Sequence, residues 1–494
     1  MYVAPATNAT RIDPQNHRKP NRTPTGHTNM SQSPLSTQLA LWACRTRFED
    51  LPEDVLVATK QLVLDVIGLA LAGLETDFGR SVREAALAMA APGPCRILGS
   101  GDRAGVTAAA FANGALPQAL EFDDTHVESI VHMSSPAVAA ALALAETGSV
   151  SGRDLIAAVA IANEISCRVG SVSSGELYRR GFHPTGLFAP FGVSYLACRL
   201  LGLDAQAMAR AAGICGSFAA GLLECWVDGT QSKFLHSGWA AQTGISTAFL
   251  ARAGTTGPAQ VFEGRFGLFA SHVQDANAHR DFRRIDEGLG THWESRNSSF
   301  KPFPAAHVIH PYIDLVLRLR RKYAIRPADV ERIDCPVTAF IVPIVCEPTA
   351  EKWSPASDSH GRVSLQYTLA EALYLGELGK NAYRNESLRH PEILALARRV
   401  HYHVDPSFPG PGRFKGAVRI ALTDGRIVEE VEEYNRGSAQ NPMTDAELRA
   451  KFDDNASGFL SPAERDKLAE TIGRLEELPD ATVLVDLAIS RNSL

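Results

Sequence analysis

The segment EFDDTHVESIVHMSSP (121–136) is rich in acidic, hydroxyl and histidine side chains, and runs directly into the apolar sequence AVAAALALAE (137–146). An alanine- and leucine-rich run of this kind predicts a buried helix, and hence a helical core. Ser135 is the expected N-cap, with Pro136 at the first helical position, where its missing N–H costs nothing. Such a helix start favours a bound carboxylate or phosphate. With His132 close by, the segment predicts either an anion site or a polar loop that caps a core helix.

The overall composition is that of a globular protein: 494 residues, 45% hydrophobic and 21% charged, with a formal net charge of −6. A chain of this length predicts more than one domain. The charges form no long basic block, so nucleic acid is not an expected partner. Eight cysteines without a CxxC pair indicate reduced thiols in the cytoplasm. We also expect no membrane association, since no apolar run approaches the roughly 18–20 residues that a span needs.

The chain divides into four parts by composition. Residues 1–35 are rich in proline, asparagine and threonine, have little to bury, and are predicted to be disordered. Residues 36–298 follow the helical period and predict a large all-α domain, with Val55–Leu74 as a central, nearly all-round apolar helix. Residues 299–436 mix helix with strand, and residues 437–494 return to helix. The simplest arrangement packs the last part onto the first, which makes the fold mainly α with an inserted, smaller α+β domain.

The clearest hairpin lies inside the α+β part. The sequences FKGAVRIAL (414–422) and RIVEEVEEY (426–434) have the composition of strands. Asp424-Gly425 lies between them and suits a tight type I′ turn. These segments therefore predict an antiparallel pair.

Four segments combine titratable or cationic side chains with the start of a helix: 121–136, RRGFHPTGLFAPFG (179–192), DGTQSKFLHSGWAAQTG (228–244) and FKPFPAAHVIHP (300–311). The side chains concerned are His132, His183, Lys233, His236, Lys301, His307 and His310. In the third segment, Ser237 is the expected helix cap. Any one of these side chains alone is more often structural than functional. Four similar segments together favour a site at helix N-termini, where cations and histidines hold a small anion.

Other site chemistries are less well supported. A metal site is disfavoured because the sequence has no HExxH or CxxC pattern, and His307 and His310 are its only close pair of plausible ligands. The sequence also lacks a phosphate-binding GxxxxGK[ST] loop and a GxSxG nucleophile elbow. What remains is acid–base chemistry on a small anion without a metal or organic cofactor.

The four segments, together with EGRFGLF (263–269), resemble the MmgE/PrpD family, which contains 2-methylcitrate dehydratases, cis-aconitate decarboxylases and an iminodisuccinate epimerase. The resemblance runs in order over about residues 36–480. It implies a large helical domain built from both ends of the chain, with a smaller α+β lid inserted at 299–436. It also implies a homodimer that needs no metal or organic cofactor and acts as a lyase on a small polycarboxylate.

The resemblance also implies a set of site residues. The catalytic candidates are His132, His183, Lys233, Asp123 and Asp124. We expect His132 to transfer the proton, His183 to assist it, and one of the two aspartates to orient a histidine. The substrate-binding candidates are Glu121, Thr125, Ser134, Ser135, Lys301 and His307. The sequence departs from the family in a longer loop between Thr125 and His132, in the absence of a Trp-Gly-His-Pro-Ser-type continuation, and in Ala305 and Ala306, where many relatives have cysteine. These departures leave the substrate open.

Dehydration, decarboxylation and epimerisation share a carbanion next to a carboxylate, which cations would stabilise, and a proton carrier that works near neutral pH. A 2-methylcitrate dehydratase-like hydro-lyase is the leading expectation. A cis-aconitate-type decarboxylase and an epimerase are the alternatives. From a different class, a dimeric carboxylate-binding protein would keep the same pocket without catalysis. The expected location is the cytoplasm.

Overall fold

The computed structural model describes residues 33–489. The predicted disordered segment 1–35 lies outside the described residues except for its last three, and the first helix begins at Leu35. Helices dominate the described chain, which confirms the prediction of a mainly α protein. The longer strands lie together in one four-stranded sheet.

The helix Glu53–Leu74 lies at the centre of the helical part, as its apolar sequence predicts. It packs against the helices Gly152–Ser171 and Asp445–Ala456 and against the 3₁₀ turn Leu116–Leu120. By length and composition this helix could cross a membrane, so the expectation that no apolar run approaches that length was wrong. However, 67% of its apolar stretch is buried inside the protein, as in the core helix of a globular domain.

The long helices of this part share one hydrophobic cluster, whose members run from Leu39 to Phe300 and again from Leu448 to Ala488. The C-terminal part of the chain therefore packs onto the first part. The helices of six or more residues in these two parts are Leu35–Arg45, Glu53–Leu74, Asp77–Met89, Val106–Ala115, Ser134–Ala145, Gly152–Ser171, Pro184–Leu200, Ala205–Cys215, Leu235–Arg252, Leu268–Val273, Asp445–Ala456 and Pro462–Gly473.

Small residues let two of these helices, Val106–Ala115 and Leu235–Arg252, approach closely. Gly238 lies against the backbone carbonyl of Phe111, where any side chain would clash. The close approach places the start of the second helix, with Lys233 just before it, next to the end of the first.

A second hydrophobic cluster, with members from Ala305 to Val428, surrounds the sheet. The strand order is Val400–Val404, Val330–Val337, Gly416–Leu422, Ile427–Glu432; the first pair is parallel and the other pairs are antiparallel. The helix His310–Tyr323 packs on the two strands of the hairpin, and the helices Leu365–Leu375 and Pro391–Ala397 complete this part. Residues 34–489 belong to one compact unit. The domain boundaries at 299 and 436 stay predictions.

The predicted hairpin is present, but its turn differs from the expected type. Gly425 has a positive φ of 87°, whereas Asp424 is not among the residues with positive φ. The N–H of Gly425 donates to the carbonyl of Leu422 at 2.9 Å. The connection is therefore a three-residue loop (423–425), which consists of a type I turn followed by a glycine in the left-handed conformation. Such loops fit the twist of a β-hairpin.

Candidate active site

The loop that leads from Glu121 to His132 folds back on itself. Glu121 ends the 3₁₀ turn Leu116–Leu120 in the left-handed conformation, with a φ of 52°. The N–H of His126 donates to the carbonyl of Val131 at 2.9 Å, which closes the loop. Both ends of the loop therefore reach the same region of the protein.

A two-residue ladder attaches this loop to the segment that carries Lys301. Thr125 pairs with Ser299, and His126 pairs with Ser298, in antiparallel register. The ladder connects the two motifs through main-chain hydrogen bonds, although they are far apart in sequence.

Glu121 lies between two lysines. The Nζ of Lys233 forms an ion pair with Oε1 of Glu121, and the Nζ of Lys301 lies 3.4 Å from Oε2 and donates to the Glu121 carbonyl at 3.0 Å. None of the three residues is more than 4% exposed. Burial alone would raise the pKa of Glu121, but the charges of Lys233 and Lys301 outweigh it and lower that pKa to about 2. Burial lowers the pKa of Lys301, and the nearby carboxylates partly offset this.

Hydrogen-bond acceptors surround one ring nitrogen of His132. Its Nδ1 lies 2.9 Å from the carbonyl oxygen of Asp124, 3.3 Å from Oδ1 of Asp123 and 3.3 Å from Oγ1 of Thr125. Carbonyl and carboxylate oxygens can only accept, so Nδ1 carries a proton and Nε2 is the atom that exchanges one. The backbone N–H of His132 donates to Oγ1 of Thr185 at 3.0 Å, which holds the residue from a second helix.

The two aspartates differ in environment. Burial acts against ionisation of Asp123, but the charge of His132 and a hydrogen bond from it hold the pKa of Asp123 well below its usual range. Burial and the neighbouring carboxylates of Asp123 and Asp65 raise the pKa of Asp124 well above its usual value. Asp123 is therefore the ionised partner of His132, whereas the side chain of Asp124 favours the protonated form.

Ser135 does not cap the following helix as predicted. The helix begins at Ser134, so Ser134 and Ser135 both lie in its first turn. The hydroxyl of Ser134 donates to Asp124, and that of Ser135 donates to Oδ2 of Asp123 at 3.1 Å. The carboxyl groups of Asp123 and Asp124 thus lie at the positive end of this helix. The two serine hydroxyls donate to these carboxyl groups and do not cap the N–H groups of the helix.

His183 lies next to His132, with ring centroids 5.6 Å apart. Burial, reinforced by the charge of Lys233, holds the pKa of His183 well below its usual value. Its Nδ1 is 2.9 Å from Nδ1 of His236, and its Nε2 is buried without a partner among the described residues.

The helix Leu235–Arg252 begins at Leu235, so the expectation that Ser237 caps it was wrong.

His307 reaches the site from the side of the second hydrophobic cluster. Its Nε2 lies 3.0 Å from Oγ of Ser299 and 3.0 Å from Nδ2 of Asn435. Burial holds the pKa of His307 well below its usual value, so this histidine is neutral. Asn435 belongs to no recognisable motif, and nothing in its sequence context points to the site. The Nε2 of His310 donates to the carbonyl of Ala305, 3.0 Å away, which is a structural contact.

The structure thus brings the predicted site residues together in one buried cluster. Two lysines meet one carboxylate, two histidines face each other beside it, and the ladder through Ser299 links His307 to the same loop. None of the predicted residues exceeds 7% exposure: Glu121, Asp123, Asp124, Thr125, His132, Ser134, Ser135, His183, Lys233, Lys301 and His307. Such a cluster can hold carboxylates and move protons in a region with little water.

A buried cluster of lysines and histidines can perform acid–base chemistry on an anion, and comparisons with known proteins specify the class of protein. The MmgE/PrpD N-terminal domain matches residues 37–281, and the MmgE/PrpD C-terminal domain matches residues 303–477. The chain therefore belongs to the MmgE/PrpD family and is a lyase of that family, which confirms the resemblance and sets aside the non-catalytic alternative.

Several relatives match this chain over nearly its whole length. A protein named cis-aconitate decarboxylase from Aspergillus terreus is 28% identical over 476 residues, which cover 92% of this chain and 96% of that protein. The proteins of the same name from mouse and human are each 26% identical, over 455 and 454 residues. Those alignments cover 88% of this chain in both cases, and 90% and 91% of the relatives.

Proposed function

We propose that this lyase decarboxylates an unsaturated tricarboxylate of the cis-aconitate type. The observation that carries the proposal is the meeting of two buried lysines at one carboxylate beside a pair of histidines. The names of the relatives favour decarboxylation over the dehydration that the sequence placed first. The hydro-lyase reaction has no specific support among them.

Glu121 marks the place where a substrate carboxylate would bind. Its side chain lies between the ammonium groups of Lys233 and Lys301, so a substrate carboxylate can take over one or both of these contacts. Charge–charge contacts in a buried site are much stronger than in water, because the effective dielectric is lower there. The lysines would therefore hold a polyanion that solvent would otherwise retain.

The reaction then needs an electron sink and a proton donor. When the carbon–carbon bond to the departing carboxylate breaks, CO₂ leaves and the electron pair spreads towards a remaining carboxylate that is paired with a lysine. His132 then donates the proton at Nε2 to carbon, because Asp123 stabilises its protonated form through Nδ1. Asp124, the alternative orienting residue, meets His132 through its carbonyl rather than its carboxyl group.

The remaining predictions extend this proposal. We propose that residues 299–436 form a lid over the site and that the protein is a homodimer. Large exposed apolar side chains between 218 and 266 support a contact surface there: Phe218, Leu222, Val227, Trp239, Leu250 and Phe266. All eight cysteines are free and seven of them are buried, which supports a location in the reducing cytoplasm.

The test is turnover by the purified protein with cis-aconitate, citrate and 2-methylcitrate in turn, followed by NMR in D₂O. A decarboxylase releases CO₂ and places one deuterium on a product carbon. A dehydratase gives an alkene without CO₂. His132→Gln is the matched variant, and we expect it to lower CO₂ release about 10²–10⁴-fold with unchanged far-UV circular dichroism. Failure of the wild-type protein to release CO₂ from any of the three compounds would contradict the proposal.

A further inference from the structure

Decarboxylation consumes one proton in each turnover, because the electron pair that CO₂ leaves behind must take up a proton. The proposed site is buried: His132 is 5% exposed and His183 is 1% exposed. If the proposed function holds, as this inference requires, each turnover must bring a proton from solvent to a site that solvent hardly reaches. Dehydration would not make this demand, since water carries away the proton removed from carbon.

The geometry offers one such route, through two histidine rings. Nδ1 of His183 lies 2.9 Å from Nδ1 of His236, and the ring centroids are 5.0 Å apart. His236 is partly exposed, whereas His183 is buried and faces His132. The pair therefore spans the distance from the solvent-accessible side of the helix Leu235–Arg252 to the interior of the site.

The backbone around the pair holds both rings in place. The N–H of His183 donates to the carbonyl of Gly221 at 3.0 Å. A Cβ on Gly221 would lie 3.2 Å from Nδ1 of His236 and 3.4 Å from Cβ of His183, so a side chain there would crowd the His236 ring. Since both rings are neutral, one Nδ1 must donate its proton and the other must accept it.

We propose that His236 is a positioning residue that relays solvent protons to His183. After His132 has protonated the carbon, Nε2 of His183 returns a proton to Nε2 of His132. In the same concerted shift, Nδ1 of His183 takes the Nδ1 proton of His236, and the other ring nitrogen of His236 takes one from water, which leaves hydroxide. The shift leaves both rings as the opposite tautomers, and exchange with water returns them before the next turnover. The balance is one tricarboxylate and one water converted to a dicarboxylate product, CO₂ and hydroxide.

The variant His236→Ala tests the relay in the full-length protein. We expect kcat to fall about 10²-fold with little change in KM, because the substrate contacts remain. Added imidazole should restore kcat, since it can enter the vacated space and carry protons. Pyrazole has the same size and is a far weaker base, so it should not restore kcat. His236→Gln can keep the contact with His183 but cannot relay a proton, and it should stay slow even if His236→Ala folds poorly.

His272 supplies the matched control. Its ring contacts Phe182, which precedes His183, and its Nδ1 is 2.9 Å from the Leu268 carbonyl, so it lies nearby without touching His183. His272→Ala should keep the wild-type kcat and should not respond to imidazole.

The outcomes separate this inference from the proposed function. A wild-type protein that releases no CO₂ refutes the proposed function before any variant is made. If the wild type is active, the relay is wrong when His236→Ala and His236→Gln keep kcat within about twofold. It is also wrong when imidazole and pyrazole restore kcat equally, since a filled space would then suffice. Selective rescue by imidazole supports it.

Discussion

Replacing Glu121 with glutamine removes the one carboxylate that two buried lysines share, while nearly preserving its shape. Lys233 and Lys301 are 4% and 1% exposed, so neither ammonium group can turn to water without rearrangement. We expect the substrate-free protein to become less stable at neutral pH. We also expect a tricarboxylate ligand to stabilise the variant more than the wild type, because its carboxylates would replace the missing one.

The size of the effect follows from two independent arguments. Lowering the pKa of Glu121 from 4.5 to about 2 corresponds to about 3 kcal/mol of folding stability, at about 1.4 kcal/mol for each pH unit. Removing one partner of a buried ion pair costs about 3–5 kcal/mol, since it leaves a buried charge without a counter-charge. We therefore expect Glu121→Gln to lower the free energy of unfolding by about 3 kcal/mol.

The pH dependence has a definite sign. The pKa of Glu121 is lower in the folded protein than in the unfolded chain. At pH values between these two pKa values, the unfolded chain therefore binds more protons than the folded protein. The stabilisation is thus fully present above about pH 4.5 and is lost as the pH falls towards 2. The difference between wild type and variant should be constant from neutral pH to about pH 5 and should narrow below it.

Urea unfolding of both proteins, with and without the saturated tricarboxylate tricarballylate, measures these differences. Glu371→Gln is the matched control. Glu371 is also buried, accepts from the N–H of Tyr383 at 2.9 Å, and has a pKa that burial raises. Burial disfavours the charge that glutamine removes at this position, unlike at Glu121, where the two lysines favour the charge. Equal stability of Glu121→Gln and wild type at pH 7 would refute the reasoning, because the two lysines would then need no buried counter-charge.

Two further predictions concern the surroundings of the same cluster. Asp123→Asn should lower kcat about 10- to 100-fold, because the Asp123 carboxylate lies 3.3 Å from Nδ1 of His132. Asp124→Asn should lower kcat less, because burial already favours the neutral form of Asp124. Steady-state kinetics of the two variants test this order. Lys451→Met should lower the free energy of unfolding by up to about 3–5 kcal/mol. The reason is that the Lys451 ammonium group lies 2.7 Å from the buried Asp65 carboxylate and 2.9 Å from the Phe122 carbonyl. Equal urea midpoints for the variant and the wild type would contradict this prediction.

The sequence by itself determined the class of fold and most of the site's members. The predicted helix Val55–Leu74 is apolar on nearly all sides, which is visible in its own sequence and predicts a central position without knowledge of the rest of the chain. The strands 416–422 and 427–432 follow from a local alternation around Asp424-Gly425 in the same way. The histidines and lysines of the site were found because each lies in a polar stretch beside an apolar helix.

Tertiary structure alone decided which of these groups meet. Glu121 binds Lys233 and Lys301, which lie 112 and 180 residues further along the chain. Asn435 reaches His307 across 128 residues, and His236 reaches His183 across 53. Ser135, which was expected to cap a helix, binds the carboxylate of Asp123 instead. The local periodicity of a sequence specifies which face of a helix is buried. The partner of a buried charge depends on how helices from distant parts of the chain pack together, so no single segment predicts it.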